Sequence, residues 1–84
     1  MVVFEDIEDV IDWLEPLDYL AFWEAIAPYD LTLQSRDHCD GLIAGGKVEP
    51  GVMLDGLKYL ARLELAQRFG LNRRIYHPYA SPLH

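Results

Sequence analysis

Positive charge is missing from the first part of this chain, because residues 1–30 contain no lysine and no arginine. The same stretch contains nine carboxylates, whereas residues 31–84 contain seven basic and five acidic residues. The net charge of −7 therefore arises in the N-terminal third. Since attraction to phosphates requires clustered positive charge, this balance argues against direct nucleic-acid binding by the protein.

Three other features are scarce: cysteine, serine with threonine, and long apolar runs. The single cysteine, Cys39, cannot form an internal disulfide and is typical of a reducing compartment. Serine and threonine together number three, which excludes a flexible serine-rich linker. The longest apolar run is five residues, whereas a bilayer span needs about 20. Because the first residues also lack the pattern of a signal peptide, we expect a cytoplasmic protein without a membrane span.

The chain length and composition predict one all-α domain that covers residues 1–84. With 84 residues, 51% of them hydrophobic, the chain suffices for one core and leaves no room for a second domain. Apolar residues recur at helical spacing between proline and glycine stops. We predict a compact bundle of about four helices, followed by an extended tail that contains proline and tyrosine. The predicted helices cover about residues 4–14, 17–27, 36–44 and 50–69, and the tail covers 72–84.

Individual residues place the helix ends. Pro16 and Pro28 stop the first two helices, because the residue before a proline is disfavoured in the helical conformation. Ser35 is a suitable N-cap for the third helix. The fourth helix begins near Pro50 and is capped by Gly70.

The fourth helix is apolar nearly all round, which is typical of a buried central helix. We therefore expect Leu57, Leu60 and Leu65 to be buried in the core. A separate set of aromatic residues near the N-terminus is expected to form the aromatic centre of the protein. This set comprises Trp13, Tyr19, Phe22 and Trp23.

No arrangement of residues predicts catalysis or a cofactor. The run Asp37–Asp40 contains metal-ligand types, but adjacent residues of a helix point to different faces and cannot converge on one ion. A nucleophile pair of His38 and Cys39 fails for the same reason. Gly45 and Gly46 lack the following hydroxyl of a phosphate loop. We expect a non-enzymatic protein with no catalytic residue, no metal site and no cofactor.

The acidic N-terminal helices form the candidate partner-binding surface. They favour contact with a protein partner that has a basic surface, by imitating the charge of a nucleic-acid backbone. The alternative is a solvated helix face that only confers solubility. Carboxylates one turn apart, such as Glu5, Asp9 and Asp12, repel one another and are expected to contribute nothing to folding. The candidate residues are Glu5, Glu8, Asp9, Asp12, Glu15 and Asp18.

In size and acidity the chain is similar to phage-encoded anti-defence proteins, including anti-CRISPR proteins and DNA-mimic antirestriction proteins. This is a similarity of class, because those proteins share no common motif. It implies a small inhibitor that blocks a nucleic-acid-binding protein by occupying its basic groove.

Residues 65–76, LAQRFGLNRRIY, resemble the centre of a helix-turn-helix, with a small residue, a glycine turn and a polar start to the next helix. In that family the positions matching Asn72, Arg73 and Arg74 would face the major groove of DNA. Pro78 departs from the pattern, because it would stop the recognition helix after about five residues. A transcriptional regulator is therefore the first alternative function.

The surplus of apolar residues supports a second alternative. It is compatible with an interface between subunits, including a homodimer, in a structural or assembly protein.

Overall fold

The computed structural model describes residues 2–71, and this part of the chain is helical without any strand. Four helices follow one another: α1 (Ile7–Leu14), α2 (Tyr19–Ile26), α3 (Arg36–Ala44) and α4 (Pro50–Arg68). A 3₁₀ turn, Ala27–Tyr29, continues from α2. These elements confirm the predicted all-α bundle of four helices. The predicted tail, 72–84, lies outside the described residues.

The first two helices are shorter than predicted because aspartates cap them. The backbone of Asp6 is extended, and its side chain accepts a hydrogen bond from the Asp9 N–H at 3.0 Å, so α1 begins at Ile7. Phe4 matches the helical periodicity but lies before the helix, in a non-helical segment that reaches the core. Asp18 caps α2 in the same manner, through the N–H of Ala21 at 2.8 Å.

The later helix boundaries agree with the residues that predicted them. The Ser35 hydroxyl accepts from the His38 N–H at 3.1 Å, as an N-cap does. Pro50 is the first residue of α4. Gly70 follows the end of α4 with φ +71°, the left-handed conformation that favours glycine.

Helix α4 is the central element of the bundle, as predicted, because α1, α2 and α3 all pack on it. Its inner side presents Leu57, Ala61 and Leu65 at intervals of four residues, and all three are buried. The small side chain of Ala61 allows the neighbouring helices to approach closely. One side of α4 therefore supplies the apolar surface on which the three shorter helices are buried.

The prediction that Leu60 is buried is wrong, because this side chain is 48% exposed. Leu60 lies on the outer side of α4, together with Val52, Tyr59 and Leu63, which are exposed as well. Three short helices cover only one side of a helix of 19 residues. A chain of this size has no further described element to cover the other side.

Four aromatic rings close one end of the bundle, and they differ from the predicted aromatic centre. Phe4 contacts Trp13 and Phe69 edge to face, with ring centroids 5.2 and 5.3 Å apart. Trp13 also contacts Tyr29 at 5.6 Å. The Tyr29 hydroxyl accepts from the Val2 N–H at 3.0 Å and donates to the Val2 carbonyl at 2.6 Å. This cluster joins the N-terminal segment to α1, the 3₁₀ turn and the end of α4.

The remaining residues of the predicted aromatic centre form a separate group on α2. Phe22 and Trp23 contact each other with ring centroids 5.4 Å apart, and Tyr19 contacts Trp23 at 6.1 Å. Phe22 is fully buried, so this group also contributes to the core. The predicted centre is thus divided between two places in the fold.

The two sides of α4 predict different responses to truncation. We expect Leu65→Ala to lower the free energy of unfolding by about 2–5 kcal/mol, because it opens a cavity in a fully packed site. Leu60→Ala should cost less than about 1 kcal/mol, since half of that side chain is already in water. Urea unfolding followed by circular dichroism compares the two variants. Equal losses of unfolding free energy in the two variants would contradict the packing of α4 on one side only.

Candidate partner-binding surface

All six predicted partner-binding residues are exposed, and the packing of α1 explains why. Val10 and Leu14 are buried on the side of α1 that faces α4. The acidic residues occupy the remaining directions around the helix and therefore point to solvent. The exposed set is Glu5, Glu8, Asp9, Asp12, Glu15 and Asp18.

The expectation that Asp9 contributes nothing to folding is wrong. Its carboxylate accepts hydrogen bonds from the N–H groups of Glu5 at 3.1 Å and Asp6 at 3.4 Å. Together with the bond from the Asp9 N–H to Asp6, this forms a capping box at the start of α1. The spacing of Asp6 and Asp9 is the sequence signal that could have identified it. The hydrogen bonds to the backbone N–H groups stabilise α1 more than the repulsion between Asp6 and Asp9 destabilises it.

Four carboxylates remain after the capping residues Asp9 and Asp18 are set aside. Glu8, Asp12 and Glu15 are spaced by four and three residues, so they share one face of α1 and its C-terminal end, whereas Glu5 precedes the helix. None of the four forms a side-chain hydrogen bond or an ion pair with another residue of 2–71. We call this set the acidic stripe, and it consists of Glu5, Glu8, Asp12 and Glu15.

Within residues 2–71, no basic side chain forms a salt bridge with a carboxylate of the acidic stripe. Lys58 approaches its end, but its ammonium donates to the Glu15 carbonyl at 2.9 Å, where it satisfies the last turn of α1. The two salt bridges among the described residues lie elsewhere, between Arg36 and Asp40 at 3.6 Å and between Arg68 and Glu64 at 2.8 Å. The stripe therefore presents carboxylates to solvent that are unpaired among the described residues.

A polar network holds the segment after the 3₁₀ turn against α4. The Glu64 carboxylate accepts from both the N–H and the hydroxyl of Thr32 at 2.9 Å. Arg68 donates to the carbonyls of Tyr29 and Asp30, the latter at 2.9 Å. Helical spacing predicts the pair of Glu64 and Arg68, but no sequence signal predicts their partners 32 to 39 residues away.

The network changes the acidity of Glu64. Burial by itself raises the pKa of this carboxyl, but the hydrogen bonds from Thr32 and the charge of Arg68 outweigh it and lower the pKa below the ordinary value of 4.5. The folded state therefore favours the ionised carboxylate, and the network contributes stability at neutral pH.

The residues of the run Asp37–Asp40 lie in different surroundings on α3. Cys39 is buried, and burial raises the pKa of its thiol, which opposes formation of a reactive thiolate. His38 is exposed on α3. Asp40 accepts a hydrogen bond from the Tyr19 hydroxyl at 2.6 Å and thereby links α2 to α3. Within residues 2–71, no three acidic, histidine or cysteine side chains are placed to hold a metal ion.

The helix-turn-helix alternative stays a prediction. Residues 65–68 are the end of α4, and Gly70 follows with a positive φ, which is also the ordinary end of a helix. Asn72, Arg73 and Arg74 lie outside the described residues.

Comparisons with known proteins leave the function to be argued from the residues. No protein-family model, curated protein or solved structure matches the chain. In the described part of the chain, every helix is too short or too polar to cross a membrane.

The capping box predicts a difference between two aspartates of α1. Asp9→Ala should lower the free energy of unfolding by about 1 kcal/mol, because two backbone N–H groups lose their acceptor. Asp12→Ala should leave stability unchanged, because the Asp12 side chain accepts no hydrogen bond from residues 2–71. Thermal melting of both variants measures the difference. A larger loss for Asp12→Ala would contradict the assignment.

The lowered pKa of Glu64 predicts a loss of stability in acid. Because the folded-state pKa is below the unfolded-state value, the contribution is complete above the ordinary value of 4.5 and is lost as the pH falls through the folded-state pKa. Glu64→Gln should be less stable at pH 7, and its melting temperature should fall less steeply between pH 5 and pH 3. Parallel pH profiles for the two proteins would contradict this role.

Proposed function

We propose that this protein is a non-enzymatic binding protein that inhibits a nucleic-acid-binding protein by occupying its basic surface. The observation that carries the proposal is the acidic stripe, whose four carboxylates are exposed and unpaired within residues 2–71. Three of the four lie on α1 or at its end, and the helix holds them at fixed spacing.

The dimensions of the stripe agree with those of a nucleic-acid strand. From Glu8 to Glu15, seven residues at a helical rise of 1.5 Å span roughly 10 Å. One strand of duplex DNA carries about three phosphates over that length, which equals the number of stripe carboxylates from Glu8 to Glu15. A groove that binds phosphates with lysine and arginine therefore also attracts this face.

The proposed inhibition is competitive. The protein and the nucleic acid would contact the same basic side chains, so that binding of one excludes the other. A phage-encoded inhibitor of a defence protein is the instance that the size and acidity of the chain favour. The association should weaken as salt rises, because exposed charges are screened over about 10 Å at 0.1 M salt.

The test compares two variants that have the same net charge. The stripe variant carries Glu5→Gln, Glu8→Gln, Asp12→Asn and Glu15→Gln, and keeps the capping residues Asp9 and Asp18. The control variant removes four exposed acids elsewhere through Glu24→Gln, Asp30→Asn, Asp37→Asn and Glu49→Gln. Circular dichroism establishes that both variants fold.

Each protein is then used to capture partners from a host lysate, and a purified partner is tested for nucleic-acid binding by gel shift. We expect wild-type protein and the control variant to displace the nucleic acid, and the stripe variant to lose this effect. Equal loss in both variants would attribute binding to net charge alone. Displacement by the stripe variant would contradict the proposal.

A further inference from the structure

The outer side of α4 is apolar where a surface helix is normally polar. Val52, Gly56 and Leu63 lie within about 40° of one line along the helix, at 100° per residue. Tyr59 and Leu60 flank this line on either side, and the four side chains of the set are 43–60% exposed. We call these five residues the outer face of α4. Single exposed apolar residues are ordinary, but a continuous row along one helix indicates a contact surface.

Gly56 is placed at the middle of the outer face without a reason inside the chain. A Cβ atom at this position would meet no described atom within 4 Å, and the backbone there is not in the left-handed region. A helix with glycine at an interior position is less stable than the same helix with alanine there. What Gly56 does provide is an open depression into which a side chain of a second helix fits.

Two charged residues beside the outer face, Asp55 and Arg62, indicate which kind of partner fits it. Asp55 and Arg62 lie along the edge next to Tyr59, and Arg62 stacks on that ring at 5.1 Å. They are two turns apart, about 10 Å along the axis, and too distant to pair with each other. Neither one forms a salt bridge with another residue of 2–71.

We propose that a second copy of this chain packs its α4 antiparallel on the outer face. In an antiparallel pair with two-fold symmetry, the same edge of each helix meets its copy in reversed order. Asp55 of each chain then faces Arg62 of the second copy, and two ion pairs form. In a parallel pair this charged edge would instead face the edge of Leu60, which carries no charge to match it.

The same arrangement also fits the apolar residues. A crossing point near Tyr59 and Leu60 places Leu63 of each chain over Gly56 of the second copy. Leu60 of one chain then lies near Leu60 of the other. Beside Leu60, the surface continues into two open cavities of about 260 and 430 Å³, which the dimer partly covers. Of the acidic stripe, Glu15 lies beside this contact, because it lines an open cavity with Asp55, Tyr59 and Arg62. The inference does not rest on the proposed function, since its tests measure self-association and not binding of a basic partner.

The first experiment measures self-association by sedimentation equilibrium from micromolar to millimolar protein. We expect the wild-type chain to form a dimer and Leu63→Glu to raise the dissociation constant at least about thirtyfold, as for a central interface residue. Leu20→Glu is the matched control, because Leu20 is 52% exposed, against 43% for Leu63, but lies on α2. A monomer at every concentration would overturn the proposal. The proposal would also be overturned if the protein were monomeric and Leu63→Glu lowered its stability. Another part of the same chain would then cover the outer face.

The second experiment tests the antiparallel order by exchanging charges. Asp55→Arg alone and Arg62→Asp alone should each weaken the dimer, because each brings like charges together. The double variant Asp55→Arg with Arg62→Asp should recover association, since the pair is restored in the opposite sense. Failure of the double variant to recover, while it remains folded by circular dichroism, would overturn the antiparallel arrangement.

A cross-linking experiment checks the register. A short bis-maleimide should join two chains that carry Leu60→Cys, because this position meets its own copy near the two-fold axis. It should not join chains that carry Val52→Cys alone, but should join Val52→Cys to Gln67→Cys in a mixture. Wild-type protein, in which Cys39 is buried, serves as the control. Cross-linking of Val52→Cys to itself would indicate a parallel pair and overturn the proposal.

Discussion

One constraint governs the described structure: three short helices must bury their apolar sides on a single long helix. Helices of eight or nine residues are marginal in isolation. They persist here because α4 presents Leu57, Ala61 and Leu65 in a continuous row and each shorter helix packs on it. The side chains of Asp6, Asp18 and Ser35 accept hydrogen bonds from N–H groups in the first turns of the three helices. Packing on α4 supplies most of the free energy that stabilises these helices.

The ends of the bundle are held by contacts between residues distant in sequence. The rings of Phe4 and Phe69 meet although the whole helical part of the chain separates them. The Tyr29 hydroxyl fixes the N-terminal segment through both polar atoms of the Val2 backbone. Glu64 and Arg68 hold the segment between the 3₁₀ turn and α3 against α4. A domain with so small a core depends on such contacts to close its ends.

The two exposed surfaces have different physical characters and therefore suit different partners. The acidic stripe is charged, unpaired within residues 2–71 and held mostly by the backbone of α1, which suits salt-dependent contact with a basic protein. The outer face of α4 is apolar, with a depression at Gly56 and an edge of opposite charges that its own reversed copy would complement. A dimer built through α4 would carry two acidic stripes, so that one assembly could engage two sites at once.

The sequence by itself determined the fold class, most helix ends and the exposure of the acids, because these depend on local patterns. Proline, glycine and serine act on their immediate neighbours, and the acids are exposed because burial of an unpaired charge is costly. The spacing of Asp6 and Asp9 could also have indicated the capping box. It was missed because only the repulsion between neighbouring carboxylates was considered. Only the tertiary structure decided which side of α4 is covered, since Leu60 and Leu65 have identical side chains and differ only in what packs on them. It also decided which aromatic residues meet and what Glu64 binds, because those contacts depend on how the helices are arranged in space.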